Sequence, residues 1–358
     1  MPSALATQLI IDAHLDLAWN ALTFNRDLHL SIEEMRAAEL GMEGSSRGHN
    51  TVSFPAMRTG RVGISLVTLL ARANPKGRSI LDFRNQQIAS AAAQGQLAWY
   101  RLLEQNGACR ILTDLHALRE SAAAWLSGAA GAPLSFILSM EGADPILSPS
   151  HAEWWYSAGL RVVGLAHYGP SAYAQGTACE GGLFPAGRDL LRVMEELGMI
   201  LDLTHLSDES FYEAASLFHG PVLASHNNCR AITPHQRQFS DDQLRLLIER
   251  DAVIGAAFDA WMLVPGWTQG TGDGPRVTLD SVVNHIDHIC QLAGSARHCA
   301  IGSDLDGGFG AEQSPEDLDT IADLQKLATL LAARGYSASD IEGIFHGNWL
   351  RFFERAWA

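Results

Sequence analysis

The sequence predicts an α/β protein built on a (β/α)8 TIM barrel, with an insertion after strand 1 and a C-terminal helix packed on the barrel. Short apolar runs alternate with longer amphipathic segments, and eight such runs can be counted. Most of these runs are continuously apolar, which is typical of parallel strands covered on both faces. A doubly wound open sheet is the alternative, but no Gly-x-Gly-x-x-Gly motif follows the first run.

The candidate strands and helices follow one another along the whole chain. The strands are expected at residues 9–12, 62–70, 134–140, 161–166, 199–204, 221–225, 253–258 and 299–303. The helices are expected at residues 85–105, 114–126, 186–197, 208–218, 241–249, 279–292 and 315–333. Ser207 and Ser240 are suited to cap helices with acidic first turns, and Pro315 to open one.

Two segments lie outside this alternation. Residues 19–54 hold charges, glycines and short helical pieces, and we interpret them as an insertion after the first strand. Residues 341–357 carry aromatic side chains at helical spacing, which predicts a helix packed on the barrel. Because no low-complexity linker or internal repeat interrupts the chain, we expect a single catalytic domain over residues 1–358.

Composition restricts the class of protein. Apolar residues make up 47% of the chain and charged residues 18%, which suits a large buried core. The net charge of −15 argues against nucleic acid and anionic membranes as partners. The five cysteines form no Cys-x-x-Cys pair, so a disulfide framework is not expected. Residues 1–8 do not resemble a signal peptide, and we expect a cytoplasmic protein.

Histidine and acidic residues follow six of the eight candidate strands. They are His14 with Asp16, Glu141, His167, His205, His226 and Asp304. A single histidine after a strand is more often a core or capping residue, but the carboxyl ends of barrel strands converge on one face. Imidazole and carboxylate together suit zinc or a similar divalent ion. The pattern therefore predicts a metal site at the barrel mouth.

The chain resembles the membrane (renal) dipeptidase family of the metal-dependent amidohydrolase superfamily. Each matching motif is weak alone, but the ordered set covers nearly the whole chain. The motifs are DAHLD at residues 12–16, MRTGRVG at 57–63, MEG at 140–142, LAH at 165–167, LDLTH at 201–205, SHN at 225–227, HQR at 235–237 and GSDLDG at 302–307.

The resemblance implies a (β/α)8 barrel with two divalent metal ions, expected to be zinc. His14, Asp16 and Asp304 would bind the first ion, His205 and His226 the second, and Glu141 would bridge both. Asp304 would also take a proton from the attacking water, and His167 would contact the substrate carbonyl oxygen.

The implied activity is hydrolysis of small dipeptides by a hydroxide between the metals. Arg237 would hold the C-terminal carboxylate of the dipeptide, although Arg230 competes for that role and a surface salt bridge is the ordinary alternative for either arginine. Homodimers are common in the family, but no feature of this sequence locates an interface.

Departures from the family pattern concern the substrate. Leu15 and Ala143 replace residues usual in relatives, and Asp259 takes the place of a substrate-side tyrosine near the end of the seventh strand. If Asp259 faces the pocket, it favours a substrate with a free or cationic amine. An N-acyl amino acid amidohydrolase, a lactonase on the same metals, and a catalytically silent metal-binding protein remain alternatives.

Overall fold

Parallel strands form a nearly closed barrel in the computed structural model, which describes residues 7–44, 46–270 and 274–358. The strands are β1 (Ile10–Leu15), β2 (Val62–Leu69), β3 (Arg72–Ala73), β4 (Asp82–Phe83), β5 (Cys109–Ile111), β6 (Leu134–Glu141), β7 (Leu160–Gly164), β8 (Ile200–Asp202), β9 (Val222–Leu223), β10 (Ile254–Ala256) and β11 (Cys299–Ile301). The hydrogen-bonded order is β10-β11-β1-β2-β6-β7-β8-β9, and a parallel bridge between Ala224 and Ile254 joins its two ends.

The eight candidate strands correspond to the eight strands of the barrel, so the fold class predicted from the sequence is confirmed. Six of the strands end earlier than predicted, and β8, β10 and β11 retain three residues each. β5 was not predicted; it pairs with β6 beside the barrel. Its three residues are too few to produce a hydrophobic pattern that could be read from the sequence.

Helices surround the barrel. They are α1 (Leu17–Thr23), α2 (Ile32–Ala38), α3 (Phe54–Thr59), α4 (Gln86–Gln105), α5 (Leu115–Leu126), α6 (Ala152–Ser157), α7 (Pro185–Leu197), α8 (Asp208–Leu217), α9 (Asp241–Glu249), α10 (Ala260–Leu263), α11 (Leu279–Ala293), α12 (Leu327–Ala333), α13 (Ala338–Glu342) and α14 (Asn348–Ala356). Among the described residues, none of them combines the length and the apolarity that crossing a membrane requires.

The predicted helix starts are partly right. Ser207 and Ser240 accept hydrogen bonds from the backbone N–H groups of Ser210 and Gln243, as N-cap residues do. The predicted start at Pro315 is wrong, because helical structure there begins only at Ile321 after the cap Thr320. The preceding residues form a turn whose backbone bonds to the loop before α11, which prevents a continuous helix.

The segment between β1 and β2 carries α1, α2 and α3. Its interpretation as an insertion stays a prediction, and Ser45 within it lies outside the described residues. Residues 1–6, which belong to the segment predicted to lack a targeting signal, also lie outside them.

Glycines allow the barrel to close between β9 and its neighbours. The carbonyl oxygen of Ser225, just beyond β9, lies close to Gly255 in β10 and to Gly302, the residue after β11. A Cβ atom added at either glycine would overlap this oxygen, so any larger residue would force the strands apart.

The predicted C-terminal helix is confirmed as α14, preceded by one π-helical turn at Gly343–Gly347. Trp349, Phe352 and Phe353 are buried against the amino-terminal part of the barrel with residues such as Ile11 and Ala300. The Trp349 indole also donates to the carbonyl oxygen of Ile301, at 3.0 Å. The helix thereby supports the strand that leads to the predicted site residue Asp304.

We expect Phe353→Ala to lower the free energy of unfolding by about 3–5 kcal/mol, because it leaves a cavity beside a fully buried aromatic cluster. Denaturant unfolding measures the change. The control is Leu126→Ala, at a helix position that is 53% exposed, where the change should stay within about 0.5 kcal/mol. Equal effects of the two substitutions would contradict the packing of α14.

Candidate metal centre and active site

The predicted site residues converge at the carboxyl end of the barrel. Glu141 is the last residue of β6, and Asp16 follows β1 directly. His167, His205, His226 and Asp304 lie in the loops, each three residues beyond the end of β7, β8, β9 and β11 respectively. The side chains therefore come together as expected, but most of them belong to loops that follow short strands and not to the strands themselves.

Glu141 lies at the centre of this cluster. Its Oε1 atom is 3.2 Å from Nε2 of His205 and 3.5 Å from Nε2 of both His14 and His226. Nε2 of His167 lies 3.7 Å away from the same oxygen. Four imidazoles thus surround one buried carboxylate, an arrangement that suits shared coordination of cations better than any single hydrogen bond.

Two further carboxylates, those of Asp16 and Asp304, lie close to His14. Nε2 of His14 is 3.9 Å from Oδ1 of Asp16 and 3.7 Å from Oδ1 of Asp304. Three sets of residues each bring potential ligand atoms within 4.8 Å of one another: His14, Glu141 and His226; Glu141, His167 and His205; and His14, Asp16 and Asp304.

The grouping differs in two respects from the set that the family resemblance implies. His226 groups with His14, although its Nε2 also lies 3.1 Å from Nε2 of His205. His226 therefore lies between the two halves of the cluster. His167, expected to contact substrate, also lies within ligand distance of Glu141 and His205.

Two of these residues adopt left-handed backbone conformations. His205 has φ of 67° and Asp304 has φ of 59°, values that non-glycine residues rarely adopt. Such conformations cost of order 1–3 kcal/mol and persist where surrounding contacts enforce them, often at functional sites. Here they turn both side chains from the strand direction toward the cluster.

Hydrogen bonds orient the ligand side chains from behind. The Thr177 hydroxyl lies 3.0 Å from Nδ1 of His205, and the Ser225 hydroxyl lies 2.9 Å from Nδ1 of His226. The Thr68 hydroxyl donates to Asp16. Contacts of this kind leave the Nε2 atoms facing the cluster, as in sites where outer partners fix a metal ligand.

Two buried carboxylates that we did not single out from the sequence link neighbouring loops. Asp12 accepts backbone N–H groups from His14 at 3.2 Å and Ser303 at 2.8 Å. Asp202 accepts those of Thr204 at 3.0 Å and Ser225 at 3.1 Å. Both are acidic residues within apolar strands, a costly placement that is itself a sequence signal.

Asp306 joins the segment between β1 and β2 to the loop that carries Asp304. Its carboxylate accepts the backbone N–H of Thr51 at 2.7 Å, the Thr51 hydroxyl at 2.8 Å and the backbone N–H of Val52 at 3.0 Å. The Asn20 amide donates to the carbonyl oxygens of Asp306, at 2.9 Å, and Asp16, at 3.0 Å. Asp306 thus shapes the loop and does not face the cluster.

The close approach of charged groups shifts the pKa values of the cluster residues. Burial acts to lower the pKa of His14, but Glu141, Asp16 and Asp304 outweigh it and raise the pKa to about 10. Burial, together with the neighbouring carboxylate of Glu141, raises the pKa of Asp16 to about 7. Burial raises the pKa of Asp304 as well, and Asp16 and Glu141 add to that shift. The cluster therefore attracts positive charge strongly.

These observations fit divalent metal ions. Within the described residues neither ring nitrogen of the buried His14 has a hydrogen-bond partner, which leaves Nε2 available as a ligand. The donors are imidazole nitrogens and carboxylate oxygens, the set that zinc and related ions prefer. A cation at the cluster would also compensate carboxylates that are otherwise buried close together.

A cleft of about 270 Å³ opens onto the cluster. Among the residues lining it are His167, Arg237 and Asp259, the three predicted substrate contacts. Arg237 is buried, and its guanidinium donates to Oδ1 of Asn227 at 2.6 Å and to the carbonyl oxygen of His226 at 3.0 Å. Arg230 does not line this cleft; it forms a two-pronged ion pair with Asp208.

The cleft also contains residues that sequence reasoning did not identify. The Arg72 guanidinium lies at its wall, 2.7 Å from Asp82 and 3.2 Å from the carbonyl oxygen of Tyr168. Trp19, from α1, and Tyr168, from the loop after β7, also line the cleft. Arg72 follows β2 among apolar residues, and nothing in the local pattern distinguishes it from a surface arginine.

Fold and site together define a parallel-barrel protein with a histidine–carboxylate cluster of the metal-ligand type. Residues 3–357 match the family described as membrane dipeptidase (peptidase family M19). Because the match spans nearly the whole chain, the chain belongs to this family, and the resemblance inferred from its motifs is confirmed.

A relative and two solved structures illustrate the likeness. An uncharacterised dipeptidase of Schizosaccharomyces pombe is 33% identical over 226 residues, which cover 62% of this chain and 53% of the relative, so the chain spans about half of its length. The crystal structure of a family M19 metallopeptidase, dipeptidase AC, has a TM-score of 0.80 at 23% identity and covers 98% of this chain and 99% of its own.

The second structure is a metallopeptidase from Rhodobacter sphaeroides, liganded with a phosphinate mimic of the dipeptide L-Ala-D-Ala. It has a TM-score of 0.79 at 23% identity and covers 98% of this chain and 100% of its own. At these identities the two structures support the barrel fold.

We expect Glu141→Gln to reduce metal affinity by more than the roughly 10- to 100-fold typical of losing an outer hydrogen-bond partner, because the residue lies among all the candidate ligands. Elemental analysis after dialysis against buffer of defined free zinc measures the bound metal. Glu209→Gln, at an exposed glutamate on α8, is the control and should retain the metal content of the unaltered protein. Full metal content in Glu141→Gln would contradict the central position of Glu141.

Proposed function

We propose that this protein is a metal-dependent dipeptidase that hydrolyses the peptide bond of small dipeptides with a free C-terminal carboxylate. One observation carries the proposal: four histidines and three carboxylates meet at the floor of a cleft that also contains a buried arginine. Family membership supports the same activity. We also propose that residues 1–358 form one catalytic domain.

The proposed cofactor is a pair of divalent ions, with zinc as the expected metal. His14, Asp16 and Asp304 would hold one ion, and His205 and His226 the other, with Glu141 between them. A divalent ion at such a site supplies Lewis acidity, which lowers the pKa of water from 15.7 toward about 7 and polarises a carbonyl group. The sequence places no lysine at the end of any of the eight candidate strands, which agrees with a carboxylate bridge by Glu141.

The protein's own side chains would then move protons and hold the reacting groups. Asp304 would take a proton from the attacking water and pass it to the leaving amine, as a general base and then a general acid. His167 lines the cleft beside Glu141 and would donate a hydrogen bond to the carbonyl oxygen as negative charge develops there. Both residues lie in loops held by the rigid barrel, which suits precise positioning.

Arg237 would bind the terminal carboxylate of the substrate. A guanidinium group offers a planar fork that matches a carboxylate. Asn227 and the carbonyl oxygen of His226 already hold its orientation, so little conformational entropy is lost when it binds a ligand. Arg230 is engaged with Asp208 away from the cleft, and this supports Arg237 over Arg230.

The main alternative is an N-acyl amino acid amidohydrolase that uses the same metals and the same arginine. Asp259 lines the cleft, and a carboxylate there favours a substrate with a free amine over a blocked one. Comparing L-Ala-D-Ala and L-Ala-L-Ala with their N-acetyl derivatives distinguishes the two activities, since preference for the acetylated compounds would favour the alternative.

We expect the zinc-loaded protein to hydrolyse members of a dipeptide panel and Asp304→Asn to reduce kcat by about 10²- to 10⁴-fold, because the amide cannot accept the proton of the attacking water. Ninhydrin detection of released amino acids measures the rate, and elemental analysis checks that much of the metal stays bound. Asp208→Asn, which removes a carboxylate outside the cleft, is the control and should keep full activity. A metal-loaded protein without turnover on any dipeptide would refute the proposed function.

We expect Arg237→Lys to raise KM for dipeptides by about ten- to hundredfold, since it removes a two-pronged charged contact to the substrate carboxylate. Steady-state kinetics measure KM and kcat separately. The matched substitution Arg230→Lys should leave both nearly unchanged. If dipeptides with an amidated C-terminus show the same KM as free ones in the unaltered protein, Arg237 does not bind a carboxylate.

A further inference from the structure

Asp259 is a buried carboxylate in the cleft that the proposed metal chemistry does not use. Asp259 is 7% exposed, and it lines the cleft together with Arg237 and Asp304. It belongs to none of the three sets whose ligand atoms come within 4.8 Å of one another. Its position three residues beyond β10 therefore places a carboxylate, separate from the candidate metal ligands, beside the proposed reaction site, where burial raises its pKa to about 7.

The side chains that form hydrogen bonds with Asp259 are electrically neutral. The Gln313 amide donates to its Oδ1 atom at 2.9 Å, and Trp261 provides a second donor. Among the residues that the structure describes, no lysine, arginine or histidine forms an ion pair with it. The equally buried Glu39, in contrast, contacts Arg26 and Arg47, each at 2.8 Å. Arg237 acts on this carboxylate electrostatically but forms no ion pair with it, so a ligand cation in direct contact would compensate the buried charge more fully.

We propose that Asp259 is a specificity-determining residue that binds a positively charged ammonium or guanidinium group of the substrate. This inference rests on the proposed dipeptidase function and narrows its substrates to dipeptides that present a cation at this position. Gln313 acts as a positioning residue, since its amide fixes the carboxylate toward the cleft. The cleft then recognises opposite charges at two separate points, Arg237 for a carboxylate and Asp259 for a cation.

The cation has two potential sources in a dipeptide. Asp259 lines the same cleft as Arg237, the proposed site of the C-terminal carboxylate, so a basic side chain of the second residue is one source. It also shares the cleft with Asp304, the proposed general base, so the α-ammonium group of the first residue is the other. Both sources present the same chemistry, so the substrates must separate them.

The test compares Asp259→Asn with the unaltered zinc-loaded protein on three sets of dipeptides. The sets are Ala-Ala, Ala-Lys and Ala-Glu, each with an L or D second residue and each with a free or acetylated amine. In Asp259→Asn we expect kcat/KM to fall by about ten- to hundredfold for the substrates whose cation Asp259 binds. The fall should come mainly through KM, because one charged hydrogen bond is lost. Asp208→Asn serves as the control, and metal content and Tm verify the fold.

The pattern of losses identifies the source. A loss confined to the lysine dipeptides supports recognition of the side chain, and a loss on all free dipeptides but not on acetylated Ala-Ala supports recognition of the α-ammonium group. Equal losses on every compound, or no loss above about twofold, would overturn the role of Asp259. Gln313→Leu keeps the carboxylate of Asp259 but removes the amide that orients it, so it should give a weaker version of the same pattern. It also provides a second variant should Asp259→Asn fold poorly.

Calorimetry separates failure of this inference from failure of the proposed function. If the unaltered protein hydrolyses none of the panel, the dipeptidase proposal fails, and the binding of Ala-Lys to the unaltered protein and to Asp259→Asn still tests the cation site. Binding that weakens by about tenfold or more in the variant supports the site. Equal binding, or none to either protein, overturns it.

Discussion

The burial of three carboxylates at one end of the barrel is the constraint on which the site depends. Asp16, Glu141 and Asp304 lie around His14, in surroundings where like charges repel strongly. Without compensating cations such a cluster would cost several kcal/mol for each buried ion. The histidines around Glu141 and the affinity of the whole group for positive charge follow from this constraint, and so does its fitness for metal ions.

The rigid barrel stabilises this arrangement of buried carboxylates. Its strands are short, and the loops that carry His205 and Asp304 leave them in left-handed conformations that surrounding contacts must enforce. Asp12 and Asp202 provide those contacts by bonding the backbones of adjacent loops. Residues without any part in the chemistry therefore determine where the ligands point.

Binding of substrate and the proposed chemistry are assigned to different parts of the cleft. The metal-ligand residues come from the strand ends that form its floor, whereas Arg237 and Asp259 line its side with opposite charges. Such separation would let side residues such as Asp259 change the substrate without disturbing the proposed metal ligands. Asp259, where the family pattern leads us to expect tyrosine, is an example of that freedom.

The sequence alone predicted the barrel and the histidine and carboxylate residues that meet at its mouth. Continuous apolar runs and the His and acidic residues that follow them are local features, and parallel strands necessarily bring their ends together. The tertiary structure decided the rest: that Arg237 rather than Arg230 lines the cleft, that Arg72 joins it, and that Asp259 lacks a cationic partner among the described residues. These properties depend on contacts between segments distant in the chain, which no local pattern encodes.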